Sequence, residues 1–225
     1  MVEGARLESV CAGNRTEGSN PSLSARKNQM KLLVYAFEPF GQDAENISQQ
    51  VLKRLRSRKN VMKMTLPVEF NSTYIIDAIE NIKPGIILGL GQYPRGNKIR
   101  IERLAKNQQK SKGHLQTSIT KNGPAKAFVT LELQPDINSR LSYNAGRYVC
   151  NYSIYVLLTN ATTKDIPLAF LHIPKKVDVN KATEMVEHKI DEILAVVQKI
   201  GKVPDTSVPP ENINTLMIKD NCYAA

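Results

Sequence analysis

From residue 30 onward the apolar positions follow two periods that alternate along the chain. Lys31-Leu32-Leu33-Val34-Tyr35-Ala36-Phe37 is a continuous apolar run, the pattern of a strand covered on both faces. Asn46 to Leu55 then carries Ile47, Val51 and Leu55 at helical spacing. The order repeats: Met62 to Val68 alternates as a strand, and Ser72 to Ile82 reads as a helix with Ile75, Ile76 and Ile79 on one face. Pro84 to Leu90 is again a buried strand. Two successive strand–helix units predict a parallel sheet with helices packed over it. Phe128 to Leu133 and Leu168 to Ile173 read as further strands, and Lys181 to Ile200 as an amphipathic helix carrying Met185, Ile190, Ile193, Leu194 and Val197. The expected fold is α/β, a single three-layer α/β/α domain on a mostly parallel twisted sheet.

Composition sets the limits of that domain. The chain has 225 residues, of which 41% are hydrophobic, enough for one well-packed core. Residues 1–29 are rich in Ser, Asn, Gly and Arg without either period, so they are expected to be a disordered or misassigned extension, with the native product starting at Met30. The folded body is expected over residues 30–200, and residues 201–225, with Pro204, Pro209 and Pro210, as a flexible tail. No apolar run reaches eighteen residues and the N-terminus lacks a signal-peptide core, which predicts a soluble, cytoplasmic protein with no membrane partner. Cys11, Cys150 and Cys222 are an odd, scattered set that suggests neither a disulfide framework nor a metal site, and a reducing compartment suits them.

The net charge of +10 comes mainly from Arg95 to Lys126, where nine cations face the single acid Glu102. A phosphate-binding surface is conceivable, but no aromatic residue interrupts Lys98 to Ala127 and no recognition motif accompanies the charge. A solvated basic loop is the expectation, and a nucleic-acid partner is not favoured.

Chemistry concentrates on a few positions. Cys150 ends the run Asn144-Ala145-Gly146-Arg147-Tyr148-Val149 and opens an apolar stretch, so it sits at a turn-to-helix junction. There the helix dipole and unpaired N–H groups stabilise an anionic sulfur, although lone cysteines are also commonly just buried. His172 ends an apolar strand before Ile173-Pro174, whereas His114 lies in a polar loop and His188 on an exposed helical face. Glu102 sits between apolar neighbours in Ile99-Arg100-Ile101-Glu102-Arg103-Leu104. A thiol, an imidazole and a carboxylate are the parts of a nucleophilic hydrolase. Each also has an ordinary reading, as core residues or as the counter-ion of Arg100 or Arg103.

Four segments, Phe37-Glu38-Pro39-Phe40-Gly41, Ile101-Glu102-Arg103-Leu104-Ala105 with Asn107, Asn144 to Tyr152, and Leu171-His172-Ile173-Pro174, resemble in order the signature segments of type I pyroglutamyl peptidases. The resemblance implies a cysteine omega-peptidase that removes N-terminal pyroglutamate from small peptides through a thioester. It makes Cys150 the nucleophile, His172 the base and acid, and Glu102 the residue orienting His172. It implies Phe37 and Phe40 as the faces that hold the lactam, Gln92 as a backbone recognition point, Asn46 as a support of the pocket, and Arg95 as the cation of the following loop. It implies no metal or cofactor and leaves a homo-oligomer open. The chain departs from the family at Ala36, at Gln42, at Ile47, and in the order Arg95-Gly96, where the family has Gly-Arg. Pro135 to Cys150 is also short, with a surface helix expected to be deleted or compressed into Asp136 to Leu141, and Lys106 to Lys126 is short and basic. These departures keep a second reading in view: a non-catalytic relative of the same fold that binds a peptide or an acidic partner.

Overall fold

The computed structural model describes residues 30–110 and 116–200, the last four by backbone alone. The expectations for residues 1–29 and 201–225, for Cys11 and Cys222, for His114 and for the Val197 side chain lie outside the described residues. The elements run β1 (Leu32–Phe37), α1 (Ile47–Arg54), β2 (Val61–Leu66), α2 (Thr73–Ile82), β3 (Ile86–Tyr93), β4 (Ile99–Glu102), β5 (Leu104–Lys106), β6 (Gln109–Lys110), β7 (Gln116–Thr117), β8 (Lys126–Phe128), β9 (Ser139–Ser142), α3 (Val149–Thr159), β10 (Leu168–Pro174) and α4 (Val179–Ile200). The main sheet has the order β2-β1-β3-β10-β4-β9. Its first four strands are parallel, β4 runs against β10, and β9 runs parallel with β4.

The period of two in the strands divides the core. Leu32, Val34 and Ala36 pack with Leu88, Leu90, Leu171 and Ile173 under α1 and α4, through Val51, Leu52, Val186 and Ile190. Leu33, Tyr35 and Phe37 pack with Ile87 and Phe170 under α2 and α3, through Ile75, Ile79, Ile154 and Tyr155. This is the expected three-layer arrangement. Helix α1 starts where Asn46 accepts from Ser48 N at 3.0 Å, a side-chain cap that satisfies an end N–H.

Two expectations are corrected, and one that left two alternatives open is decided. Phe128 to Leu133 is not one strand: only Lys126–Phe128 forms a ladder, against β5. Val129 belongs to the α2/α3 core and Leu133 to the α1/α4 core, so the alternation marks a segment crossing from one core to the other, not one pleated face. Leu131 N donating to Leu168 O at 2.9 Å places that crossing at the start of β10. Of the two alternatives for Asp136 to Leu141, the deleted helix is what is found: a turn at Asp136, where Asn138 N donates to Oδ1 at 2.8 Å, leads directly into β9. The basic stretch is not a plain loop. Ile99 and Ile101 are 1% exposed within β4, and the following residues form two small hairpins, β5–β8 and β6–β7.

Because Ile190 is fully buried between α4 and the sheet, Ile190→Ala is expected to lower stability by about 2–5 kcal/mol, as core truncations do. Asp191→Asn beside it, whose half-exposed carboxylate pairs with Arg56 and Arg58, should cost far less stability than Ile190→Ala. Urea unfolding of both variants checks the contrast.

Candidate active site

The strand ends bring the three expected side chains together by simple alternation. In β10, Ala169, Leu171 and Ile173 face α1 and α4, so Phe170 and His172 face α3. In β4, Ile99 and Ile101 face the same way as Leu171, which turns Arg100 and Glu102 toward His172. Cys150 lies in the first turn of α3, half-buried. These positions converge over Gly91, the β3 partner of His172. A Cβ at Gly91 would lie 2.7 Å from Cys150 Sγ and 2.9 Å from His172 Cδ2. The missing side chain is the space in which thiol and imidazole meet. Gly89, two residues earlier on the same face, likewise clears room for Phe170 and Tyr35.

Glu102 is wholly buried and its Oε1 lies 2.8 Å from His172 Nδ1, with Arg100 Nε 3.4 Å away. Burial pushes the Glu102 pKa up, but His172, Ser142 and Arg100 outweigh it and hold the carboxyl below its ordinary value. Burial pushes the His172 pKa down, but Cys150 and Glu102 outweigh it and raise it to about 9. The imidazole therefore keeps its second proton at neutral pH. Glu102, bonded at Nδ1, leaves Nε2 free to serve a reacting atom.

Around them lies a cavity of about 330 Å³, lined by Phe37, Phe40, Asn46, Gln92, Cys150 and His172 among others. Phe37 is 3% exposed and stands edge-on to Tyr35, with ring centroids 5.8 Å apart. Phe40 tilts against Tyr148 at the same separation, 5.8 Å. Asn46 caps α1 and donates to Glu38 O at 3.0 Å, tying the Phe37–Phe40 turn to the helix. Gln92 lines the cavity, and its side chain accepts from Ile47 N at 3.1 Å and donates to Asp43 at 3.1 Å, bracing the rim. Arg95 is exposed and is not among the cavity-lining residues. His188 lies on the exposed face of α4, away from the site.

Several site residues escaped the sequence reading. Arg100 lines the cavity, its guanidinium 4.2 Å from the Tyr93 ring centroid. Its partner Ser142 pairs with Glu102 in the β4–β9 register. Asn151 accepts from Lys106 N at 2.9 Å and donates to Lys106 O and Gln108 O, both at 2.8 Å, fastening the hairpin region to α3 one residue after the thiol. The signal for Arg100 was the Ile-Arg-Ile-Glu alternation itself, which puts Arg and Glu on one face. Among described non-glycine residues only Lys83 has positive φ, so Ala36, Gln42 and Ile47 sit in ordinary backbone. Gly146, at φ +83°, supplies the left-handed turn before α3.

A thiol, a protonated imidazole and a buried carboxylate at the carboxyl ends of an α/β sheet have the parts of a nucleophilic hydrolase. The chain belongs to the pyroglutamyl peptidase family, whose model matches residues 30–200. It is similar to the pyrrolidone-carboxylate peptidase of Pyrococcus furiosus, 32% identical over 168 residues that cover 64% of this chain and 81% of that one. A relative of the same name from Saccharolobus islandicus is 31% identical over 166 residues, covering 64% and 79%. Among solved structures, pyroglutamyl peptidase I of Bacillus amyloliquefaciens superposes with a TM-score of 0.64 at 25% identity, over 75% of this chain and 95% of that one. Among the described residues no helix is long and apolar enough to cross a membrane, and no cluster of three metal-ligating side chains occurs.

Two outcomes follow from this geometry. Gly91→Ala should leave the fold intact by circular dichroism while slowing alkylation of Cys150 by iodoacetamide, because its Cβ would force the sulfur and imidazole apart. In a pH titration followed by NMR, His172 should lose its proton near pH 9. Glu102→Gln should move that midpoint to lower pH, since it removes a charge that favours the imidazolium.

Proposed function

We propose that this chain is a cysteine peptidase that releases an N-terminal pyroglutamyl residue from small peptides through a thioester. The observation that carries this reading is the meeting of Cys150 and His172 over Gly91, with Glu102 at 2.8 Å behind the imidazole. The lactam lies between the faces of Phe37 and Phe40, whose rings suit a small flat amide, with the Gln92 backbone bonding it and Asn46 holding the turn. The sulfur of Cys150 attacks the pyroglutamyl carbonyl carbon, forming a C–S bond as the carbonyl electrons move to oxygen. The N–H of Cys150, in a first helical turn that no side chain caps, receives that oxyanion.

When the intermediate collapses, the C–N bond breaks and His172 passes its proton to the leaving amine. The imidazole, now neutral, takes a proton from water as the water attacks the thioester. Sulfur leaves, pyroglutamate departs, and the imidazole is again protonated. Glu102 keeps the ring in one tautomer and stabilises its charge. No metal or cofactor takes part, and a reducing compartment such as the cytoplasm keeps the thiol free. The exposed position of Arg95 is the one observation that favours the second reading, a non-catalytic relative that binds a peptide or acidic partner in the same cavity.

Purified protein under reducing conditions should release aminomethylcoumarin from pyroglutamyl-aminomethylcoumarin, and Cys150→Ala should abolish it. His172→Ala should lower kcat by at least roughly a hundredfold, the usual minimum for loss of a general base. Turnover that survives Cys150→Ala would overturn the cysteine mechanism, and a folded but inactive protein would favour the binding reading.

A further inference from the structure

The cavity is one-sided in charge. Arg100, Arg147 and His172 line it, and among the described residues no aspartate or glutamate does. Glu102 lies behind His172 and faces two cations, His172 Nδ1 at 2.8 Å and Arg100 Nε at 3.4 Å, while Arg147 on the lip has no acidic partner among the described residues, so the site carries more positive than negative charge. Arg100 is fixed in place. Its Nε donates to Ser142 Oγ at 3.1 Å, its Nη2 donates to Asn144 O at 3.2 Å and also to Ser142 Oγ, and it stacks on Tyr93. Its Nη1 enters no hydrogen bond among the described residues, although the side chain is only 12% exposed. Arg147 is exposed on the lip and uses Nη1 to donate to Gln116 Oε1 at 2.9 Å, which leaves its other nitrogens for a ligand.

The position of Arg100 decides what it would meet. It is the β4 partner of His172, so the two Cα atoms are about 5 Å apart as in any antiparallel pair. In the peptidase reading His172 delivers its proton to the leaving amine, so the residue after the lactam begins beside His172 and passes Arg100. A fixed, largely desolvated guanidinium with its Nη1 unused matches a carboxylate, to which that nitrogen donates a charge-assisted hydrogen bond.

Resting on the pyroglutamyl peptidase reading, we propose that Arg100 and Arg147 make the site selective for peptides that carry a carboxylate in the residue following pyroglutamate. That carboxylate is either an Asp or Glu side chain or the free C-terminus of a dipeptide. The departure of Arg100 from an ordinary solvated charge thereby acquires a role in substrate choice.

The test compares kcat/KM for pyroglutamyl-Ala, pyroglutamyl-Ala-amide, pyroglutamyl-Asp-amide and pyroglutamyl-Asn-amide. The acids should exceed their neutral counterparts by about tenfold, the scale of a charge-assisted hydrogen bond. A gain for the free dipeptide alone assigns the chain terminus, and a gain for the Asp amide alone assigns the side chain; either supports selection by carboxylate. The acid-to-neutral ratio should fall toward one in Arg100→Gln, should fall in Arg147→Gln, and should shrink as salt is raised. If Arg100→Gln does not fold, the exposed Arg147→Gln and the salt series on the unaltered protein carry the comparison. Equal kcat/KM for all four peptides, with turnover intact, overturns the selectivity alone. Cleavage of none of them overturns the activity reading and this inference with it.

Discussion

A carboxylate with no access to water is the constraint around which this molecule is arranged. Glu102 is wholly buried, and an ionised group in that setting persists only if charged or hydrogen-bonding partners replace its hydration. His172 supplies the principal partner, Arg100 the second, and each is supplied by a strand whose alternation puts it on the same side of the sheet. The imidazole in turn holds its proton because that carboxylate and the sulfur of Cys150 flank it. Strand order, the glycine in β3 and the start of α3 all serve this single chain of charges.

Much of the fold was legible because β1, α1, β2, α2, β3, β10 and α4 carry clean periods, and their boundaries lie within a few residues of those expected. The parallel half of the sheet followed from the strand–helix order. What the pattern concealed was the other half. In β4 four residues alternate Ile with Arg and Glu, and in an ordinary soluble protein such charges face water; here Arg100 lines the cavity and Glu102 is buried behind His172. The hairpins β5–β8 and β6–β7 are two or three residues per strand, too short to show any period. Val129 to Leu133 shows a period for the wrong reason, since its apolar residues serve two different cores.

The site divides the same way. Cys150, His172 and Glu102 were singled out by residue type and context, and the structure brings them together; Phe37, Phe40, Asn46 and Gln92 line one cavity with them. Arg95 lies outside it. Ser142 and Asn151 act through hydrogen bonds to partners more than forty residues away in sequence, and Tyr93 through a stacking contact. Nothing local in the chain marks such roles.

The place of β10 in the sheet has a consequence for synthesis. Among the described residues it is the last strand made, yet it lies between β3 and β4, so the sheet is completed from its middle. A nascent chain ending before Leu168 already contains Cys150 and Glu102 but lacks the His172 that joins them. Until β10 inserts, β4 and β9 have no continuous sheet to extend, and pairing over so long a sequence separation is slow. Assembly of the charge chain and closure of the sheet are therefore one event: the carboxylate, the imidazole and the sulfur meet only when β10 takes its place.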